Sequence, residues 1–192
     1  MTSKLLLITG ANKGIGYAIA EATIQKNLPY DILLCSRDQA RGQSAISSLQ
    51  QKYPNFKQNL DLGILDVSSA KSVTTFTEWF KQKYSKVDIL LNNAGILYRR
   101  EETTNPENTI KTFDTNYFGT VNFAKEMQPM VSDNGKILFM GSICGPDAFR
   151  QCSDNLKLNF LNKNLSLEDL NDFARQYVKD VVDGEWKEKG YC

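Results

Sequence analysis

The sequence contains no histidine among its 192 residues. This absence excludes a Ser-His-Asp triad, zinc held by histidine, and catalysis by an imidazole base. An excess of charge of one sign is also missing, because 23 Lys and Arg residues are balanced by 22 Asp and Glu residues. A net charge of +1 does not indicate the basic surface that binds nucleic acid or anionic membranes, so we expect neither partner.

Cysteine is scarce, and its four positions form no Cys-x-x-Cys pair: Cys35, Cys144, Cys152 and Cys192. Cys35 lies in an apolar run that predicts a buried strand, so we expect no disulfide framework and a reduced, cytoplasmic compartment. Long hydrophobic runs are absent as well, since Leu5 to Ile8 is shorter than the apolar core of a signal peptide. The length suits one domain over residues 1–192, with no visible targeting segment.

Short apolar runs alternate with longer amphipathic stretches, which is typical of a parallel sheet built from βαβ units. The predicted strands are residues 4–9, 31–36, 57–65, 87–91 and 136–140. The predicted helices are residues 14–27, 39–51, 70–84 and 106–131, with a break in the last near Asn116 and Gly119. These elements predict an α/β protein with a doubly wound parallel sheet.

The residues after the fifth predicted strand have a different character. Residues 143–165 are polar, include Pro146 and show neither helical nor strand periodicity, so a loop is expected there. Ser166, followed three residues later by Asp169, resembles a capping box and predicts an additional helix over residues 166–184. The apolar residues of that helix recur at helical spacing, which favours a face packed on the domain over a face that binds a partner.

A glycine-rich segment joins the first predicted strand to the first predicted helix: Thr9-Gly10-Ala11-Asn12-Lys13-Gly14-Ile15-Gly16. Glycines in this position let the backbone turn sharply and approach a pyrophosphate, whose charge is stabilised by the N–H groups at the start of the helix. The spacing alone is weak evidence. Its position between a strand and an amphipathic helix predicts a nucleotide site rather than a structural turn.

The end of the second predicted strand indicates which nucleotide is bound. NAD enzymes place a carboxylate there, about 20 residues beyond the glycines, but this chain has Ser36 and Arg37. Arg37 can bind a 2′-phosphate through its guanidinium, Ser36 can donate a hydrogen bond, and Lys13 can add a second cation, which favours NADP(H). Asp38 competes with this interpretation, but capping the next helix is the simpler role for it. A solvated surface charge is the alternative for Arg37.

Several further motifs occur in the order found in one enzyme family: Asp66-Val67, Asn92-Asn93-Ala94-Gly95, Thr115-Asn116-Tyr117-Phe118-Gly119 and Gly141-Ser142. Together with the glycine-rich segment, they resemble the short-chain dehydrogenase/reductase family over essentially the whole chain. Asn12-Lys13, Ser36-Arg37-Asp38 and Arg41-Gly42-Gln43 resemble the monomeric NADPH-dependent carbonyl reductases in particular. The resemblance implies a Rossmann-like oxidoreductase that binds NADP(H) and reduces a small carbonyl compound, monomeric when complete.

The resemblance also implies roles for individual residues. Asp66 and Val67 would line the adenine pocket, and Asn93, Ala94 and Gly95 would lie along the cofactor, as would Gly10, Asn12, Lys13, Gly14, Ile15 and Gly16. Ser142 would stabilise the substrate oxygen, and Asn116 would shape its helix around a water that leads to a catalytic lysine. From the residues alone, Val67 can equally be core, Asn92 can tie strand ends together, and Ser142 can serve a turn.

The chain departs from the family pattern at the catalytic tyrosine and the lysine four residues after it. The one Tyr-x-x-x-Lys segment, from Tyr53 to Lys57, contains Pro54 and precedes the third predicted strand. After Ser142, neither Tyr177 nor Tyr191 is followed by that lysine. We therefore expect a chain that stops before the motif, with an incomplete sheet whose fifth strand has an open edge.

Three hypotheses follow from these motifs. The chain is an NADPH-dependent carbonyl reductase, or a nucleotide-binding or interaction module without catalytic activity, or a truncated record of a longer reductase.

Overall fold

The computed structural model describes residues 4–99, 102 and 105–191, so Cys192 lies outside the described residues. These residues form two compact units. The first includes the chain up to Gly95 together with Thr115–Met140, and the second includes Ile96–Asp114 together with the residues from Gly141 onward. A single domain over residues 1–192 stays a prediction, and the two units are described separately.

The first unit contains a parallel sheet of five strands in the order β3-β2-β1-β4-β5. The strands are β1 Lys4–Ile8, β2 Tyr30–Ser36, β3 Leu60–Ile64, β4 Val87–Asn92 and β5 Val131–Phe139. All five predicted strands are present, which confirms the α/β class and the parallel sheet. β5 begins five residues earlier than expected, because Val131 pairs with Val87 before an irregular segment leads to the pairing of Lys136 with Ile89.

The helices of the first unit follow the predictions within one or two residues where they connect strands. They are α1 Gly14–Gln25, α2 Gln39–Lys52 and α3 Ala70–Lys83. The predicted long helix over 106–131 consists of four pieces: α4 Pro106–Phe113, a π-helical turn Asp114–Gly119, α5 Thr120–Met127 and a short 3₁₀ turn Gln128–Met130. The break near Asn116 and Gly119 is confirmed, and α4 belongs to the second unit.

Side chains on alternate residues of the central strands enter two separate cores, as the period of two in a strand requires. Leu5 and Leu7 of β1 pack in the cluster that includes Phe76 of α3 and Phe123 of α5. Leu6 and Ile8 point to the other face, where α1 and α2 contribute their apolar residues. Because both faces are covered, the strands read as continuous apolar runs in the sequence.

The second unit has more helix than the sequence predicts. Residues 143–165 are not a loop, since they include α6 Cys144–Gln151 and α7 Asp154–Phe160. Pro146 is tolerated because it lies in the first turn of α6, where no N–H is needed for a helical bond. The Ser153 side chain caps α7, and both helices are too short to show a clear period.

The last helix of the second unit, α8 Leu167–Val182, begins as predicted. Ser166 accepts the Asp169 N–H, and the Asp169 carboxylate accepts the Ser166 N–H in return, which confirms the capping box. α8 packs against α4, with the Phe113 and Tyr177 ring centroids 5.3 Å apart. The face of α8 is therefore used inside its own unit.

No helix in the described part of the chain is both long and apolar enough to cross a bilayer.

A hydrogen bond between Tyr84 and Asp61 joins the end of α3 to β3. Burial, followed by this bond to the carboxylate, raises the pKa of the Tyr84 phenol. We expect Tyr84→Phe to lower the free energy of unfolding by about 1 kcal/mol in urea denaturation near neutral pH. Because the raised pKa favours the neutral phenol in the folded state, this contribution is present below the ordinary tyrosine pKa of 10.0 and falls as the pH rises above it.

The matched control is Tyr17→Phe, since the Tyr17 hydroxyl makes only an exposed bond of 3.3 Å to Ser48. Equal loss of stability in the two variants, or the same decline above pH 10 in wild type and Tyr84→Phe, would contradict the assigned role of Tyr84.

Candidate functional site

The candidate site lies where β1 and β4 end side by side in the first unit. Thr9, directly after β1, is 1% exposed, and its hydroxyl accepts the N–H groups of Asn93 and Ala94, each at 2.9 Å. The Asn93 side chain donates in return to the carbonyls of Thr9 at 2.9 Å and Gly10 at 3.3 Å. These bonds hold the two segments together although they are more than 80 residues apart in the sequence.

Two glycines allow this close approach. A Cβ on Gly10 would lie 2.8 Å from the Ala94 Cα, and Gly10 also has a φ of +63°. A Cβ on Gly16 would lie 2.5 Å from the Asn93 side-chain nitrogen and 2.9 Å from the Ala11 Cα. Any other residue at position 10 would force the segments apart, and one at position 16 would displace the Asn93 amide and overlap the Ala11 backbone. The predicted glycine segment and the Asn93-Ala94-Gly95 turn are therefore in direct contact.

The start of α1 lacks the side-chain cap that the next two helices have. Asp38 caps α2 and Ser69 caps α3, but no side chain caps α1, and its first turn contains no acidic residue. Gly14 has a φ of +61°, and a Cβ placed on it would have no heavy atom within 4 Å. The N-terminal N–H groups of α1 therefore lack a side-chain acceptor beside an open space, an arrangement that fits a pyrophosphate.

The other residues of this segment lie around the same helix start. Lys13 has an extended backbone and an exposed side chain, and Asn12 is half-buried. Ile15 is 62% exposed at the second position of α1. The side chains thus offer a cation and an apolar surface beside the open N–H groups.

Three neighbouring residues at the end of β2 have different roles: Ser36, Arg37 and Asp38. The buried Ser36 hydroxyl donates to the Asp38 carbonyl at 2.8 Å and accepts the Asp38 N–H at 3.2 Å, so it stabilises the turn, and its contact with a cofactor stays a prediction. The Asp38 carboxylate accepts the Arg41 N–H at 2.9 Å and its Nε–H at 3.0 Å, which lowers the pKa of Asp38. This confirms the capping role of Asp38. Arg37 is exposed and makes no ion pair with the described residues.

The turn after β3 holds the two residues expected at an adenine pocket. The half-buried Asp66 carboxylate accepts the Ser68 N–H at 3.0 Å and its hydroxyl at 2.7 Å. Val67 is 5% exposed and packs in the core with Val73 and Phe76. The core interpretation of Val67 is therefore the one that the packing supports.

Asn92 ties two strands together at their ends. Its side chain donates to the Leu138 carbonyl at 3.2 Å, and its own carbonyl accepts the Met140 N–H at 2.8 Å. This arrangement is the structural alternative that the sequence left open for Asn92.

Asn116 lies within the π-helical turn, an element often found at functional sites. A Cβ on Gly95 would lie 3.4 Å from the Asn116 side-chain oxygen, so the amide reaches the turn after β4. The first unit thus brings Asn116 to the same end of the sheet as the glycine-rich segment.

Ser142 belongs to the second unit, where it is exposed. Its hydroxyl accepts the Cys144 N–H at 3.1 Å at the start of α6, so it serves a local turn. Its catalytic role stays a prediction.

Sequence reasoning missed Thr9 as a site residue, although it stands directly before the first glycine at the end of a strand. A hydroxyl at that position was the available signal, but its partners lie on another strand. No group of three or more acidic or cysteine side chains that could hold a metal ion occurs among the residues the structure describes.

A family model and individual relatives of the chain indicate the same enzyme family. The short chain dehydrogenase family model matches residues 4–153. Carbonyl reductase (NADPH) 3 from Rattus norvegicus is 32% identical over 195 residues, covering 98% of this chain and 67% of its own length. Carbonyl reductase (NADPH) 1 from Bos taurus is 30% identical, with coverage of 96% and 65%. The chain therefore spans about two thirds of the length of these relatives.

Solved structures agree on the fold. Menthone neomenthol reductase from Mentha piperita superposes with a TM-score of 0.86 at 25% identity, covering 99% of this chain and 78% of its own. Salutaridine reductase from Papaver somniferum has a TM-score of 0.80 at 21% identity, a likeness that supports the fold alone.

The Thr9 hydroxyl provides a direct test of how the site is held together. We expect Thr9→Val, which keeps the shape of the side chain, to lower the free energy of unfolding by about 2 kcal/mol because two N–H groups lose their acceptor. Thr9→Ser keeps the hydroxyl and should lose at most about 1 kcal/mol. Urea denaturation measures both variants, and a loss in Thr9→Val no larger than that in Thr9→Ser would contradict the assigned role of the hydroxyl.

Proposed function

The chain belongs to the short-chain dehydrogenase family, and from this premise we propose that it binds NADP(H) and serves the NADPH-dependent reduction of aldehydes, ketones or quinones. The observation that carries the proposal is the start of α1, where N–H groups without a side-chain cap border the open space at Gly14. A pyrophosphate there would accept hydrogen bonds from the N–H groups of α1, as the Asp38 and Ser69 side chains accept them from α2 and α3.

The preference for a 2′-phosphate rests on Asp38 and Arg37. NAD enzymes use a carboxylate near this position to bind the ribose, but the Asp38 carboxylate already accepts two bonds from Arg41. Arg37 and Lys13 are exposed cations, and Arg37 has no ion pair among the described residues. The names of the related carbonyl reductases, which specify NADPH, agree with this preference.

The reductase half of the proposal rests on the relatives and on Ser142. NADPH, when bound, supplies a hydride to the carbonyl carbon. Ser142 would donate its hydroxyl proton in a hydrogen bond to the carbonyl oxygen, where negative charge develops. Its oxygen accepts the Cys144 N–H, an arrangement that leaves the O–H to donate elsewhere. Asn116 would position the helix backbone beside Gly95.

A second candidate is a nucleotide-binding module without reductase activity. It is favoured by the absence of Tyr-x-x-x-Lys after Ser142 in these 192 residues. Tyr191 is not an equivalent acid, because burial and then the Asp180 carboxylate raise its pKa to about 12. A neighbouring lysine would shift a tyrosine pKa in the opposite direction.

Cofactor binding tests the part of the proposal that both candidates share. We expect the purified chain to bind NADPH more tightly than NADH in isothermal titration calorimetry. Arg37→Ala should weaken NADPH binding about tenfold and leave NADH binding nearly unchanged, because a charge-assisted contact to the 2′-phosphate is lost.

The control for that experiment is Arg175→Ala, since Arg175 is an exposed arginine of α8 paired with Glu168 and Asp172. If both variants bind NADPH equally, Arg37 does not recognise the phosphate. If the wild-type chain binds neither nucleotide, the proposed site is wrong.

Turnover separates the two candidates. Loss of NADPH absorbance is followed with a panel of aldehydes, ketones and quinones, using wild type, Ser142→Ala and the control Ser132→Ala, which changes a half-buried serine of β5 outside the candidate site. A reductase should lose activity by a factor of about 100 or more in Ser142→Ala, because removal of an oxyanion donor costs this much. NADPH binding without turnover of any compound favours the module without catalytic activity.

A further inference from the structure

The first unit contains a groove of about 400 Å³ that the proposed function does not use. It lies between the end of α1 and the turn that joins α2 to β3, where the strands of the sheet begin. The candidate site lies at the opposite end of the strands. Because α1 has 12 residues, the two places are separated by roughly 18 Å along this helix. The volume is within the range of small-molecule sites.

The floor of the groove is apolar and aromatic. Ile24 is 5% exposed, and the half-buried rings of Tyr53 and Phe56 pack on the same core cluster. The Phe56 N–H donates to the Tyr53 carbonyl at 3.1 Å, which fixes the turn that carries both rings. The groove therefore offers two oriented aromatic side chains to a ligand, a surface suited to a planar ring.

The charge around the groove is positive. No carboxylate belongs to its lining, which includes Lys52 and Lys57. Lys52 is neutralised by Glu21 at 2.7 Å, but Lys57 is exposed and forms no ion pair with the residues described. Asn27 and Asn55 add amide groups that can donate hydrogen bonds.

The C-terminus of α1 contributes little negative charge to the groove. Helix C-termini normally repel anions through their unpaired carbonyls. Here the N–H groups of Lys26, Asn27 and Leu28 donate to carbonyls in the last two turns of α1, at distances of 2.9 to 3.1 Å. Asn27 adopts a φ of 49° to close this end, as a left-handed residue at a helix terminus does.

We propose that the groove is a binding site for a small aromatic carboxylate, with its ring against Tyr53 and Phe56 and its carboxylate at Lys57. A neutral aromatic molecule would leave the Lys57 ammonium without a partner, and a small inorganic anion would leave both rings uncovered. An aromatic carboxylate satisfies the two features together. The site does not depend on the proposed function, because none of its residues belongs to the candidate cofactor site.

Nitrogen-15 NMR titration of the full chain with benzoate tests this proposal. We expect saturable shifts of the backbone amides of residues 24–27, 52–53 and 55–58, with a dissociation constant in the range of about 1 to 10 mM for so small a probe. Lys57→Gln should weaken benzoate binding about fivefold, since an exposed ion pair is lost. Lys71→Gln, an exposed lysine on α3 without an ion pair to the described residues, should bind as the wild type does.

Two further probes test the charge and the ring of the ligand separately. Acetate carries the charge without the ring, and benzyl alcohol carries the ring without the charge, so each should bind more weakly than benzoate. The proposal is wrong if benzoate gives no saturable shift at these amides, if Lys57→Gln and wild type have the same affinity, or if acetate binds as tightly as benzoate.

Discussion

The close contact between the ends of β1 and β4 is the constraint on which the rest of the candidate site depends. The Thr9 hydroxyl accepts two N–H groups from the turn after β4, and the Asn93 side chain returns two bonds to the turn after β1. Only glycine fits at positions 10 and 16, because a Cβ would overlap the Ala94 backbone at the first and the Ala11 backbone and Asn93 amide at the second. The glycines therefore serve this packing as much as any approach of a ligand.

The contact also decides where α1 begins and what its first turn offers. With Gly10 and Gly16 fixed against Asn93 and Ala94, Gly14 is left as the position that faces open space. The connections from β2 to α2 and from β3 to α3 are closed by Asp38 and Ser69, whose side chains cap these helices. At this end of the sheet, the starts of α2 and α3 are capped by their own side chains, and the start of α1 is suited to an anion.

Asp38 is held at the start of α2 by two local hydrogen bonds from Arg41. A carboxylate near the end of β2 would suit the ribose of NAD, but capping α2 and pairing with Arg41 commits it elsewhere. The exposed guanidinium of Arg37 then has no competing carboxylate partner among the described residues. Tyr191 has an acidity that its surroundings lower, because burial and the Asp180 carboxylate raise the pKa of its phenol.

The sequence by itself determined the features that depend on neighbouring residues. Several features follow from side chains within a few positions of each other. They are the strands, the helices that connect them, the capping role of Asp38, the capping box at Ser166 and the break near Asn116. The glycine segment likewise indicated a turn before a helix, because backbone freedom and helix capping act locally.

Only the tertiary structure decided the features that join distant segments. The bonds from Thr9 to the turn after β4, the early start of β5 opposite Val87, and the groove between α1 and the turn before β3 each depend on strand register and packing. It also showed the bond from Ser36 to Asp38 and the packing of Val67 in the core cluster, and it formed α6 and α7 where a loop was expected. These features escape local reasoning because a buried donor or ring takes its partner from whichever strand or helix folding brings beside it.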